Sequence, residues 1–151
     1  MPIMNAMDFH ADAPVVIVRC LESDSTVRLC DRWQPDAENT QYAVEASDLG
    51  LAARVNEVSA GPWQPAPDLS VFFDELATAF RGRSEERLWH SMDHELTVSA
   101  AYRSDGHVGL TWTLRPWSAK RGGWSASVTT WQAAGERMAA LADEVRAFLH
   151  P

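Results

Sequence analysis

Five side chains between positions 90 and 107 form the one cluster with ligand chemistry: His90, Asp93, His94, Glu95 and His107. Imidazole and carboxylate are zinc ligands, and two histidines four apart would share a helix face. This stretch reads as strand and turn, however. His94-Glu95 runs on into Leu96-Thr97-Val98 without forming HExxH, and no cysteine completes a zinc set. Polar residues on a solvated sheet edge are the expectation, with His94 and His107 meeting only if their strands splay. Nucleophilic chemistry finds no better footing. There is no G-x-S-x-G elbow, and Ser104 and Ser125 fall in a turn and a strand. Neither a Walker A sequence nor G-x-G-x-x-G occurs, and Gly122-Gly123 alone does not cradle a phosphate. The carboxylate pairs Asp74-Glu75, Glu85-Glu86 and Asp143-Glu144 lie on predicted helices or their flanks, where adjacent side chains diverge. The residues therefore predict a protein that is not an enzyme, with no cofactor and no metal.

The elements that would position these groups are read from periodicity. Residues 1–13 read as a frayed N-terminus. Val15 to Val18 is a β-branched run suited to a strand, Ser23-Asp24-Ser25 supplies a turn, and Thr26 to Trp33 is the return strand. After a polar loop from Gln34 to Thr40, Tyr42, Val44 and Ala46 alternate, while Leu49, Leu51, Ala53 and Val55 resume on the opposite parity. A bulge or a break at Ser47-Asp48 reconciles the two phases, eased by Gly50. The prolines of Gly61 to Pro67 mark a loop. Asp68 caps a helix whose stripe is Leu69, Phe72, Phe73, Leu76 and Phe80, with Gly82 at its end.

Glu86 to Met92 predicts a further strand. Leu96, Val98, Ala100 and Tyr102, then Val108, Leu110, Trp112 and Leu114, then Trp124, Ala126, Val128 and Thr130 each alternate with polar residues. Ser104-Asp105-Gly106 is the hairpin turn between the first two runs. Thr129 and Gln132 sit at capping-box spacing before a last helix, whose stripe is Met138, Leu141, Ala142, Val145, Phe148 and Leu149. The fold expected is α+β: a mainly antiparallel sheet of about five to six strands with two amphipathic helices on one face, in the order βββ-α-ββββ-α.

A chain of 151 residues fits one domain, here 14–151. The formal charge of −8 is concentrated early, with 9 acidic and 3 basic side chains in residues 1–50. Such a surface repels phosphate backbones and attracts basic proteins, so nucleic acid is not expected as a direct ligand. Cys20 and Cys30 make no disulfide framework; two reduced thiols behaving as small apolar groups are expected, although a 15–33 hairpin could make them neighbours. No run approaches the roughly 18 apolar residues of a membrane span. The N-terminus also lacks the basic and apolar regions of a secretion signal. The expectation is a cytoplasmic protein with no membrane partner.

Seven tryptophans are many for this length. Trp112 and Trp124 fit the buried sheet face. Trp33, Trp63, Trp117 and Trp131 lie in or beside loops, where an indole can anchor an interface or seal the rim of the core. With the acidic residues of the 34–40 loop, the candidate partner-binding residues are Trp33, Asp36, Glu38, Trp63 and Trp117.

Several of these segments resemble a known family. Phe72-Phe73 with Leu76, Phe80-Arg81-Gly82, Trp89-His90-Ser91-Met92-Asp93-His94-Glu95-Leu96, Asp105-Gly106-His107-Val108 and the helix from Trp131 to Phe148 are similar to the WapI-type immunity proteins. They are closer still to a sister family of bacterial proteins of this length. The resemblance covers about residues 69–149. It departs at Ser104-Asp105-Gly106-His107, a tighter turn than the family's, and at Asp93-His94, where E-G or D-G is commoner. The resemblance implies a single-domain antitoxin that binds and blocks the C-terminal domain of a cognate toxin, a tRNA-cleaving nuclease for the namesake. A basic toxin domain is then the expected partner. The alternatives are a structural homo-oligomer that uses its polar sheet face or an edge strand, and a small-molecule binder with a pocket between sheet and helices.

Overall fold

The computed structural model describes residues 13–61, 67–79, 86–116 and 123–151. Strands β1 (Val16–Arg19), β2 (Thr26–Trp33), β3 (Thr40–Asp48) and β4 (Leu51–Ala60) form an antiparallel meander, followed by helix α1 (Leu69–Ala79). Strands β5 (Arg87–His90), β6 (Leu96–Arg103), β7 (His107–Leu114) and β8 (Ala126–Ala133) form a second meander, followed by helix α2 (Glu136–Leu149). The α+β class stands, but the single sheet of five to six strands is replaced by two sheets of four, in the order ββββ-α-ββββ-α. The extra strand lies where the alternation changed phase. Ser47-Asp48 is neither a bulge nor a break within one strand but the start of a hairpin, in which Asp48 pairs with Leu51 and Gly50 takes φ 78°. The Asp48 carboxylate accepts from the Leu49 N–H at 2.6 Å and from Ser25 Oγ at 2.6 Å, fixing the turn. The bulge in this pair occurs further on, where Asn56-Glu57 of β4 oppose Ala43 of β3.

Each sheet has one apolar face, and both faces enter one core. Val18, Val27, Leu29 and Val44 come from the first sheet, and Leu96, Val98, Leu110 and Trp112 from the second. Leu69, Phe72, Phe73 and Leu76 of α1 and the predicted stripe of α2, from Met138 to Leu149, complete it. The helices run antiparallel, with Asp68 at the head of α1 paired to His150 at the foot of α2, and Asp74 paired to Arg146. Asp68 caps α1 as expected, accepting from the Ser70 N–H at 2.9 Å.

Helix α2 starts differently from expectation. Thr129 and Gln132 belong to β8, and the residue before α2 is Gly135 at φ 76°, with no side-chain cap. Gln132 instead ties the sheets together. Its buried amide donates to the Arg19 carbonyl at 2.6 Å and accepts from Arg137 Nε at 3.1 Å. Nearby, the Leu21 N–H donates to the Trp131 carbonyl at 2.9 Å.

Trp112 is fully buried as expected, its Nε1 donating to Thr130 Oγ1 at 2.9 Å. Trp124 is not: it precedes β8, so strand alternation does not govern it, and it is 42% exposed. Trp131 lies within β8 rather than in a loop. Its ring packs over Gly109, where an added Cβ would come within 2.8 Å, and the Arg103 guanidinium sits 4.2 Å from its centroid. Cys20 and Cys30 are free thiols and not cross-strand neighbours, since β1 pairs Val16 with Leu29 and Arg19 with Thr26. Among the described residues no helix is long and apolar enough to cross a membrane.

Two substitutions test this arrangement. Gln132→Ala removes the part-buried hydrogen bond to the Arg19 carbonyl and is expected to lower unfolding stability by about 1 kcal/mol. Gly50→Ala meets no atom within 4 Å and should cost only the left-handed backbone penalty, about 1 kcal/mol. Equilibrium urea unfolding measures both.

Candidate functional site

The five-residue ligand cluster does not assemble. His90 pairs with Thr97 and His107 with Arg103, so about 20 Å of β6 separates the two histidines. His107 Nδ1 lies 3.0 Å from Asp105 Oδ1 without the alignment of a hydrogen bond. His90 and His94 do meet, their rings stacked at 3.9 Å and 14°. Among the described residues no group of three or more His, Cys, Asp or Glu side chains could hold a metal ion.

The corner between β5 and β6 explains why this segment has the residues it has. The Ser91 N–H donates to the Leu96 carbonyl at 2.8 Å, and Ser91 Oγ accepts from the Leu96 N–H at 3.2 Å. His94 takes φ 62°, which turns the chain and swings the next side chain inward. Glu95 is thereby buried to 6% exposure, where its carboxylate accepts from Ser91 Oγ at 3.3 Å. Strand alternation had placed Glu95 on the polar face; the signal for its burial is the Ser91–Glu95 spacing, which only the turn gives meaning. Burial, then the nearby Asp93 and Glu57 carboxylates, push the Glu95 carboxyl above the ordinary glutamate range. Trp89 closes the corner from below, its Nε1 donating to the Pro67 carbonyl at 2.6 Å.

Glu95 opens onto a groove that follows β4. One cleft of about 500 Å³ is lined by Arg54, Asn56, Glu57, Glu95, Pro116 and Trp124. A second of about 410 Å³ continues along Leu51, Ala52 and Ala53, facing Trp124, Ser125 and Ala126. Arg54 brings little free positive charge to the groove. Its guanidinium is held by Asp31 at 2.6 Å and Glu45 at 2.6 Å, and Nε donates to Asn56 at 2.7 Å.

Of the expected partner-binding residues, Trp33, Asp36 and Glu38 come together at the β2–β3 turn, and Trp63 and Trp117 lie outside the described residues. Trp33 ends β2 at 52% exposure. Asp36 organises the turn, accepting from the N–H groups of Glu38 at 2.8 Å and Asn39 at 2.9 Å. The Asn39 amide, followed by those N–H groups, holds the Asp36 carboxyl below its usual range. Its charge is thus absorbed locally. Glu38 has no side-chain hydrogen bond or ion pair among the described residues, and lines a cleft of about 480 Å³ with Gln34, Thr40, Gly61, Asp68 and His150. Burial pushes the Asp68 carboxyl up, but hydrogen bonds led by those from Ser70 and His150 outweigh this and hold it low.

The chain belongs to a family described as a "Family of unknown function (DUF6228)", whose model matches residues 19–151. No curated protein and no solved structure matches it.

Glu95 makes a pH prediction. Because its folded-state pKa is raised, the folded chain binds more protons than the unfolded one between the ordinary glutamate value and the raised value. Its contribution to stability therefore falls as pH rises through that window. Glu95→Gln lacks that loss, so its melting temperature should exceed the wild type's at neutral pH, and the excess should shrink to nothing below about pH 4. Thermal unfolding of both proteins across that range measures the difference.

Proposed function

We propose that this family member is a non-catalytic binding protein that docks a basic partner protein, as an immunity protein occludes a toxin domain. One observation carries the reading: the β2–β3 connection carries both an aromatic anchor, Trp33 at 52% exposure, and Glu38, whose carboxylate has no ion pair among the described residues. Asp36 holds that turn rigid through bonds to Glu38 and Asn39, so little conformational entropy is lost on docking. A half-exposed indole on the same connection as a free carboxylate suits a basic protein surface, and the chain's charge of −8 speeds its approach. The resemblance of residues 69–149 to immunity proteins points the same way.

A second reading, a homo-oligomer, has its own support. The outer face of the second sheet carries two uncharged hydroxyl rows, Thr97-Thr113-Ser127 and Ser99-Thr111-Thr129, beside Leu88 at 66% exposure. This is a surface on which two copies with charge −8 could approach without facing like charges. Light scattering at micromolar concentration separates the readings, a monomer favouring the first.

The leading reading is tested by calorimetric titration with a basic toxin-like protein domain. Binding at micromolar concentration or tighter is expected, weakening as salt rises. Trp33→Ala should cost about 2 kcal/mol of affinity and Glu38→Gln about 0.5–1 kcal/mol. No binding at micromolar concentration would defeat it.

A further inference from the structure

Among the described residues strand β4 is an unpaired sheet edge. Among the described residues it pairs only with β3, and no other backbone hydrogen bond reaches Leu51–Ala60. Of the other three edges, β1 and β5 have four residues each and β8 eight, whereas β4 has ten. Natural proteins blunt long edges with proline, lysine or a covering element, because unpaired N–H and C=O groups recruit another chain. Leu51–Ala60 contains neither proline nor lysine. Besides the charged Arg54 and Glu57, its blunting device is the bulge at Asn56-Glu57, which leaves Leu51 to Val55 regular.

The groove follows this edge. Its floor at the Leu51–Ala53 end is apolar, its far wall carries the Trp124 indole, and its other end holds the Glu57 and Glu95 carboxylates. Glu95 lacks a counter-charge: its one side-chain partner among the described residues is Ser91 Oγ. A buried carboxylate in that position favours a cation brought in from outside. The Trp124 ring offers such a cation a second attraction.

We propose that the β4 edge is a strand-addition site for an extended basic segment of a partner protein, which pairs with Leu51 to Val55 and places an arginine or lysine against Glu57 and Glu95. The inference rests on the reading that the partner is a basic protein and adds where its chain is held. The two surfaces share strand β4: Ala60, which lines the cleft with Glu38, is three residues, about 10 Å, from Glu57. Main-chain hydrogen bonds would supply affinity, and the alternating pockets the side-chain preference.

The test uses a fluorescein-labelled, acetylated hexapeptide of alternating valine and arginine, with fluorescence anisotropy as readout. The peptide should bind at micromolar concentration. Trp124→Ala and the double variant Glu57→Gln/Glu95→Gln should each weaken it at least tenfold, with Leu21→Ala, 61% exposed on the β1–β2 turn, leaving it unchanged. Methylating the amide nitrogens of one alternate set of peptide residues should abolish binding, and methylating the other set should be tolerated. Binding indifferent to both methylation patterns and to Trp124→Ala would show only attraction of a cation to an acidic protein and would overturn the proposal, as would no binding. The outcomes separate from those for the docking reading. A peptide that binds while the basic domain does not leaves the edge site standing and defeats the domain reading. A domain that binds while the peptide does not defeats the edge site alone.

Discussion

The structure depends on one constraint: the apolar surfaces of both halves of this chain are buried in a single shared core. Each half is a four-stranded meander with a single greasy face, followed by one helix. The second half's face has Leu96, Val98, Leu110 and Trp112, the first half's has Val18, Val27, Leu29 and Val44, and all belong to one continuous core with both helices. The halves are joined by polar links as well. Gln132 reaches the Arg19 carbonyl, Leu21 reaches Trp131, and Arg103 pairs with Glu22. A buried side-chain amide at such a junction fixes how the halves meet more sharply than apolar contact does, since a shifted arrangement would strand its donors and acceptors.

That arrangement determines which surfaces are left over. With the apolar faces turned inward and the helices paired, the outer sheet faces, the turns and the strand edges remain. The edges are unequal. β1 and β5 are short, β8 turns toward the first sheet through Gln132 and Trp131, and β4 beside Trp124 pairs among the described residues only with β3. The β5–β6 corner, held by Ser91 and by His94 at φ 62°, then supplies the groove with its buried carboxylate. A feature that looks like a ligand cluster in one dimension serves in three dimensions as a turn lock, and only Glu95 faces the groove.

Much of this was legible beforehand. The α2 stripe, Met138 to Leu149, emerged residue for residue because a helix against a core imposes the 3.6 period without exceptions. The Asp68 cap and the turn at Gly106 followed from local chemistry alone. The division into two sheets was not legible, because alternation tells which way a side chain faces and not which strand lies alongside. A reversal at Ser47-Asp48 and a slipped strand give the same change of parity, and only pairing distinguishes them. Gln132 looked like a capping residue because Thr-x-x-Gln spacing also occurs in strands. Trp124 and Glu95 were misplaced for a shared reason: each lies just outside a regular strand, where period-2 counting no longer holds. At the site, Trp33, Asp36 and Glu38 were visible as a cluster of type and position, whereas the groove along β4 arises from tertiary packing and has no linear signature.

The central claim is that this protein works by docking a basic partner along its acidic turn and open β4 edge. Backbone amide exchange, followed by mass spectrometry with and without a basic toxin-like protein domain, tests it most directly. Slowed exchange confined to residues 33–40 and 51–57, with α1 and α2 unchanged, is the result this account predicts. Protection centred on the hydroxyl rows of the second sheet, or on the helices, would contradict it.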